Sequence, residues 1–213
     1  MTQQRPVIFI VDDDERIRSA LSDLLESHGF LAVAFPSAGE YIDAQKPDGP
    51  ACLVLDVSLP DINGLDLQNQ MAGRDHPPIV FITGHGDIPS SVRAIKRGAI
   101  DFLTKPFSEE NLMVAIGAAL AQDRGARAQR AKESDLVQRY RQLTPRERQV
   151  LPLVVSGLLN KQAAAELGIS EITLQVHRRN VMQKMGAASL ADLVRISEKL
   201  QIPVTHSRRP GRT

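Results

Sequence analysis

The chain has 213 residues, room for one large or two small domains, and 42% hydrophobic with 24% charged residues is the balance of an ordinary globular protein. No apolar run reaches the roughly 18 residues of a membrane span, no signal-peptide pattern opens MTQQRPVIFIVDDDE, and the lone cysteine, Cys52, excludes an intrachain disulfide and cysteine-built metal clusters, so a cytoplasmic setting is expected. The net charge of +1 conceals a split: residues 1–121 hold 9 basic and 17 acidic residues, net −8, and residues 122–213 hold 17 and 8, net +9. That asymmetry implies two domains with different partners, the basic one a candidate for nucleic acid.

Val7–Val11 (VIFIV) is an uninterrupted β-branched and aromatic run, the signature of a strand covered on both faces, and it stops at Asp12, Asp13 and Asp14. Ile17, Leu21, Leu24 and Leu25 then recur at helical spacing, with Asp14 or Asp13 as cap and His28-Gly29 as the end. A second strand is expected over Leu31–Phe35 and a short helix capped by Ser37 after it. A third strand runs over Cys52–Val57. The Pro60-Asp61 and Asn63-Gly64 pairs turn the chain, Gly64 by its freedom to take φ > 0. Leu65, Leu67 and Met71 mark a third helix. Ile79–Thr83 is a fourth strand; Val92, Ile95 and Ala99 mark a fourth helix. Ile100–Thr104 is a fifth strand ending at Lys105-Pro106, and a fifth helix follows from Ser108 through Leu112, Ile116 and Leu120. Strands alternating with helices predict a five-stranded, doubly wound parallel sheet of the flavodoxin type, an α/β fold.

Asp12/Asp13, Asp56, Thr83 and Lys105 all stand at carboxyl ends of predicted strands, where open α/β sheets bind ligands. Clustered carboxylates repel one another, and a hard cation such as Mg²⁺ relieves that repulsion. Lys105 and Thr83 suit the oxygens of a phosphoryl group, and Asp56 among them suits a nucleophile forming an aspartyl phosphate.

The elements DDD at 12–14, LVLDVSLPDINGLDL at 53–67, VFITGHGD at 80–87 and DFLTKPF at 101–107 resemble the receiver domain of two-component response regulators across the whole of residues 1–121. The resemblance implies that Asp12, Asp13, Asp56 and the Ser58 backbone carbonyl bind Mg²⁺, that Asp56 is the phosphoacceptor, and that Thr83 and Lys105 sense the phosphoryl group. Phe102 stands at the aromatic switch position, often Tyr; lacking a hydroxyl, it switches by packing alone. The Lys105-Pro106 bond is often cis in such receivers.

Residues 122–142 are charged and, apart from Gly125, good helix formers, so a helical linker is expected. Thr144-Pro145-Arg146-Glu147 reads as a capping box with Pro at the first helical position; this helix runs through Val150, Leu151 and Val154 with Pro152 inside it, where a kink is expected. Asn160 as cap opens a helix closed by Gly168, Ser170 caps a third and Ser189 a fourth, giving an all-α four-helix domain over residues 143–204. The third carries apolar Ile172, Val176 and Met185 among Gln175, His177, Arg178, Arg179, Gln183 and Lys184. A basic, Gln-bearing helix after a Gly-containing turn suits major-groove reading. The block from Leu143 to Leu200 resembles the LuxR-type helix-turn-helix of the NarL/FixJ response regulators. That likeness implies base-facing roles for Gln175, Val176 and Arg179 and phosphate contacts by Lys161, Thr173, His177, Arg178 and Lys184, with His177 alternatively a packed or solvated residue. Residues 205–213 read as a disordered basic tail.

The whole reads as a phosphorylation-dependent transcription factor, not an enzyme. Its partners are a histidine kinase, promoter DNA, a second copy of itself on phosphorylation, and RNA polymerase; no membrane is expected. A metal-dependent phosphotransferase acting on a small molecule and a phosphorylation-independent DNA-binding protein are the competing classes. Against the first, a whole basic domain would go unused; against the second, the acid set would have no purpose.

Overall fold

The computed structural model describes residues 5–84 and 88–203, and the chain divides into two compact units, Met1–Ala128 and Gln129–Thr213. In the first unit β1 (Val7–Val11), β2 (Leu31–Phe35), β3 (Ala51–Asp56), β4 (Ile79–Thr83) and β5 (Asp101–Thr104) form one sheet in the order β2-β1-β3-β4-β5, every pair parallel. Helices α1 (Glu15–Ser27), α2 (Ala38–Asp43), α3 (Gly64–Met71), α4 (Ile88–Lys96) and α5 (Glu109–Arg141) make the connections. The period-two alternation of strand side chains divides the core in two. Phe9, Leu53, Leu55 and Phe81 pack with Tyr41 and Leu67 on one face; Ile8, Ile10, Val54 and Ile82 pack with Leu25, Leu112 and Ile116 on the other. Both faces being covered is why these strands read as unbroken apolar runs. Strand order reverses between β1 and β3, and the crevice at their carboxyl ends is the expected ligand site of such a sheet.

The expected bounds hold for β1, β2 and β4. Asp14 caps α1, its carboxylate accepting from the Arg16 N–H at 2.8 Å, and Ser37 caps α2. Strand β3 is shifted by one residue from the expected 52–57. Ala51 joins it because its N–H is held by the Asp123 carboxylate at 2.9 Å, and Val57 leaves it because its carbonyl turns to the Gly64 N–H. Asp123 is buried and also accepts from Arg127 Nε at 2.7 Å, while Arg127 Nη1 reaches Asp48 at 2.7 Å. Charged residues assigned from sequence to a linker after residue 121 are thus packed into the first unit, which extends to Ala128. Helix α5 is continuous for 33 residues.

In the second unit α6 (Pro145–Val155), α7 (Asn160–Leu167), α8 (Glu171–Met185) and α9 (Leu190–Lys199) enclose a core of Leu143, Val150, Leu151, Val154, Ala163, Leu174, Val181, Met185 and Leu193. The capping box forms as read: Glu147 N–H donates to Thr144 Oγ1 at 3.2 Å, and Thr144 N–H to Glu147 Oε2 at 2.8 Å. Pro152 lies within α6, and nothing in the structure explains it. One capping assignment is corrected. Asn160 is the first residue of α7 and Leu159 the cap, because the Leu159 N–H is satisfied by the Gln162 side chain at 3.0 Å and the Asn160 side-chain oxygen, Oδ1, is taken by Arg178. Gly168 (φ 65°) and Gly186 (φ 67°) end α7 and α8 in the left-handed conformation, where a Cβ would be strained. The tail expected to be disordered, residues 205–213, lies outside the described residues, as does residue 204. No helix among the described residues is long and apolar enough to cross a membrane.

Candidate functional site

The strand ends converge as the alternating pattern requires. Asp12 follows β1, Asp56 ends β3, Thr83 ends β4, and all three are buried; Lys105 follows β5. Lys105 Nζ donates to Asp12 Oδ2 at 2.6 Å and to Asp56 Oδ2 at 2.7 Å, so one ammonium bridges two carboxylates from the two strands flanking the crevice. The other oxygens are held by backbone: Asp12 Oδ1 accepts from Asp14 N–H at 2.9 Å, and Asp56 Oδ1 from Ser58 N–H at 3.0 Å. Arg18 Nη1 ties the carbonyls of Asp12 and Asp13, each at 2.8 Å. Thr83 and Lys105 are joined by the bond from Lys105 N–H to the Thr83 carbonyl at 2.7 Å, and the Lys105-Pro106 peptide is cis.

The electrostatics follow from burial. Loss of water raises the Asp12 carboxyl above its ordinary pKa, and the Lys105 and Asp14 hydrogen bonds only partly offset this. Burial alone would lower the Lys105 ammonium, but its hydrogen bonds to Asp12 and Asp56 prevail and its pKa lies above the usual lysine value. Exposed Asp13 completes the acid set: one carboxylate oxygen each from Asp12, Asp13 and Asp56 lies within 4.8 Å of the others. Three hard oxygen donors at that spacing fit a divalent cation of the Mg²⁺ class. Phe102 is half-buried and packs on Phe81, ring centroids 6.0 Å apart.

Two supports of this rim were not visible in the sequence. Gly64 does not take the positive φ expected of it. Its necessity is close approach: a Cβ there would collide with the Asp56 carbonyl oxygen and lie 3.1 Å from Val57 Cα. Asp61 reaches back to α2, its carboxylate accepting from Gly39 N–H at 2.8 Å. The only sequence signal for either was membership of a turn.

In the second unit, α8 divides cleanly. Leu174, Val181 and Met185 face the core, while Ile172, Gln175, Val176 and Arg179 are exposed on the opposite side at i, i+3, i+4 and i+7. Lys161 on α7 is exposed as well. The residues expected at phosphates are less uniform. Thr173 Oγ1 is bonded to Ser170 Oγ at 2.8 Å, and Arg178 Nη1 donates to Asn160 Oδ1 at 2.9 Å. Lys184 Nζ donates to Glu147 Oε2 at 2.7 Å; Glu147 is buried and Lys184 half-buried, so this ammonium is held against the Glu147 carboxylate. His177 is half-buried and its Nδ1 is enclosed without a hydrogen-bond partner among the described residues, which fits its packed reading.

A paired-acid rim with a bridging lysine on a 2-1-3-4-5 sheet, joined to a helix-turn-helix, defines a response regulator. Residues 8–117 match the family model of the response regulator receiver domain, and residues 141–197 that of the bacterial regulatory proteins of the luxR family. The chain belongs to the two-component transcriptional response regulators that carry a LuxR-type helix-turn-helix, the NarL/FixJ group, a family of transcriptional regulators rather than of classical enzymes. It is 48% identical to Nodulation protein W of Bradyrhizobium diazoefficiens over 206 residues, 96% of this chain and 91% of that one. It is 46% identical to the response regulator protein TodT of Pseudomonas putida strain F1 over 202 residues, 94% of this chain and 89% of that one. Among solved structures, the response regulator StyR matches with a TM-score of 0.80 at 47% identity, covering 92% of this chain and 99% of that one.

Proposed function

We propose that Asp56 accepts a phosphoryl group from the phosphohistidine of a sensor kinase and that this modification controls promoter binding by α8. The observation that carries the proposal is the Lys105 bridge between Asp12 and Asp56, with the Asp13 carboxylate close by. In this reading residues 1–121 form the receiver, 122–142 the linker and 143–204 the DNA-binding domain, and the protein works in the cytoplasm.

An Asp56 carboxylate oxygen attacks phosphorus; the P–O bond forms as the P–N bond breaks, and the imidazole leaves with the electron pair. Asp12, Asp13, Asp56 and the Ser58 carbonyl would hold Mg²⁺, which when bound screens the charge of the transferred group. Lys105, already within hydrogen-bond distance of Asp56, moves from carboxylate to phosphoryl oxygen, and Thr83 supplies a hydroxyl donor. The new charge of about −1.5 to −2 draws both groups toward residue 56, and Phe102 responds through its packing on Phe81. The modified protein pairs with a second copy, reads two half-sites through Gln175, Val176 and Arg179, and acts on RNA polymerase from there. Lys161 completes the DNA-facing set, with His177 packed and Thr173, Arg178 and Lys184 held in the internal bonds described above.

The test is intact-mass measurement after incubation with acetyl phosphate and Mg²⁺. The wild type gains one phosphoryl group and Asp56→Asn gains none; equal gain, or no gain in either, overturns the assignment.

A further inference from the structure

On the outward face of α8, Ile172 is 76% exposed and Val176 54%. One turn apart, they share one stripe of the helix beside Gln175 and Arg179, while the core demands of this helix are met by Leu174, Val181 and Met185 on the far side. An exposed isoleucine alone is unremarkable. Here it lies at the second residue of the helix, in the part that meets base edges when such a helix enters the major groove. The apolar feature that groove offers is the C5-methyl of thymine. The flanking Arg179, the nearby exposed Lys161 and the net positive charge of the C-terminal half match a polyanion rather than an apolar protein partner.

We infer that Ile172 is a specificity-determining residue that reads a thymine methyl, extending the base-reading set beyond Gln175, Val176 and Arg179. This rests on the DNA-binding reading of α8. Its geometry is simple: residues at i and i+4 place two apolar ends side by side, so Ile172 and Val176 can cover methyls of neighbouring base pairs while Gln175 and Arg179 hydrogen-bond the purines beside them.

The experiment isolates the methyl. Duplexes enriched from a randomised library by the full-length, acetyl-phosphate-treated protein are resynthesised with single thymines replaced by deoxyuridine, which deletes only the C5-methyl. Binding is measured for the wild type, Ile172→Ala and Val176→Ala. For at least one thymine per half-site, deoxyuridine weakens the wild type by about fourfold, the worth of one buried methyl-sized group. Ile172→Ala binds the thymine and deoxyuridine duplexes equally there, while Val176→Ala keeps the Ile172-dependent difference. Equal methyl dependence in wild type and Ile172→Ala at every thymine overturns the inference but leaves DNA reading by α8 intact. Failure to enrich any sequence overturns both. Equal binding of the mutant to the deoxyuridine duplex also serves as its own folding control.

Discussion

The two units build their working surfaces in opposite ways. In the first, polar groups are buried: Asp12, Asp56 and Thr83 are withdrawn from water at the ends of apolar strands, and a single lysine bridges the two acids. In the second, charge and apolar side chains are displayed on the outer face of one helix, and the ion pair of buried Glu147 with half-buried Lys184 serves the scaffold. Chemistry that makes a covalent bond needs few groups held rigidly in a low-dielectric crevice. Reading a polymer needs many groups standing free at a fixed spacing. A mutation in the first site therefore acts on stability and reactivity together, whereas one on the outer face of α8 acts on binding alone.

That contrast can be broken by measurement, starting with Lys105. Lys105→Ala leaves two buried carboxylates facing each other, and removing one partner of a buried ion pair costs about 3–5 kcal/mol. The expected result is a large drop in melting temperature in the presence of a chelator, partly recovered with Mg²⁺. An unchanged melt would mean that the rim is not electrostatically strained. Gly64→Ala should cost about 1–3 kcal/mol by overpacking against the Asp56 backbone and slow phosphorylation by acetyl phosphate as well. Loss of stability with an unchanged phosphorylation rate would separate the scaffold from the site.

On the other unit, Arg179→Ala should leave the melt unchanged and weaken an enriched site by about 1–3 kcal/mol more than random DNA; equal losses on both would remove Arg179 from the base-reading set. The smallest effect concerns pH. Burial works to raise the Glu147 carboxyl, but Lys184 and the Thr144 backbone amide prevail and hold its pKa below the usual value. A depressed carboxylate contributes stability that is present above its unfolded pKa, about 4.3, and lost as pH falls through the lower folded value. Hydrogen-exchange protection of α6 should fall over that interval in the wild type and vary less in Glu147→Gln.

The parts legible in the sequence were those written locally. Strands covered on both faces announce themselves as apolar runs, and each run ended on the polar residue that the sheet then brought to the crevice. The Thr144–Glu147 box was equally plain, because both of its hydrogen bonds span three residues. What stayed hidden depends on approach between distant segments. Asp123 looked like one more linker charge until its bond to Ala51, 72 residues away, placed it in the core. Asn160 looked like a cap until Arg178 claimed its oxygen. Ile172 and Met185 are both apolar residues of one helix, and only the position of the core tells that one is buried and the other displayed.

Gly64 bears on how this chain is free to vary. The residue has no side chain and does not take a positive φ, yet the space beside the Asp56 carbonyl admits only a hydrogen. A saturation library would score position 64 as unforgiving, much like position 56, though for a wholly different cause. The remedy for a lost carboxylate is a new acid; the remedy for a filled gap is a displaced strand end. A tolerance map of this protein would therefore mark two adjacent sites of equal severity, only one of which could be rescued by chemistry.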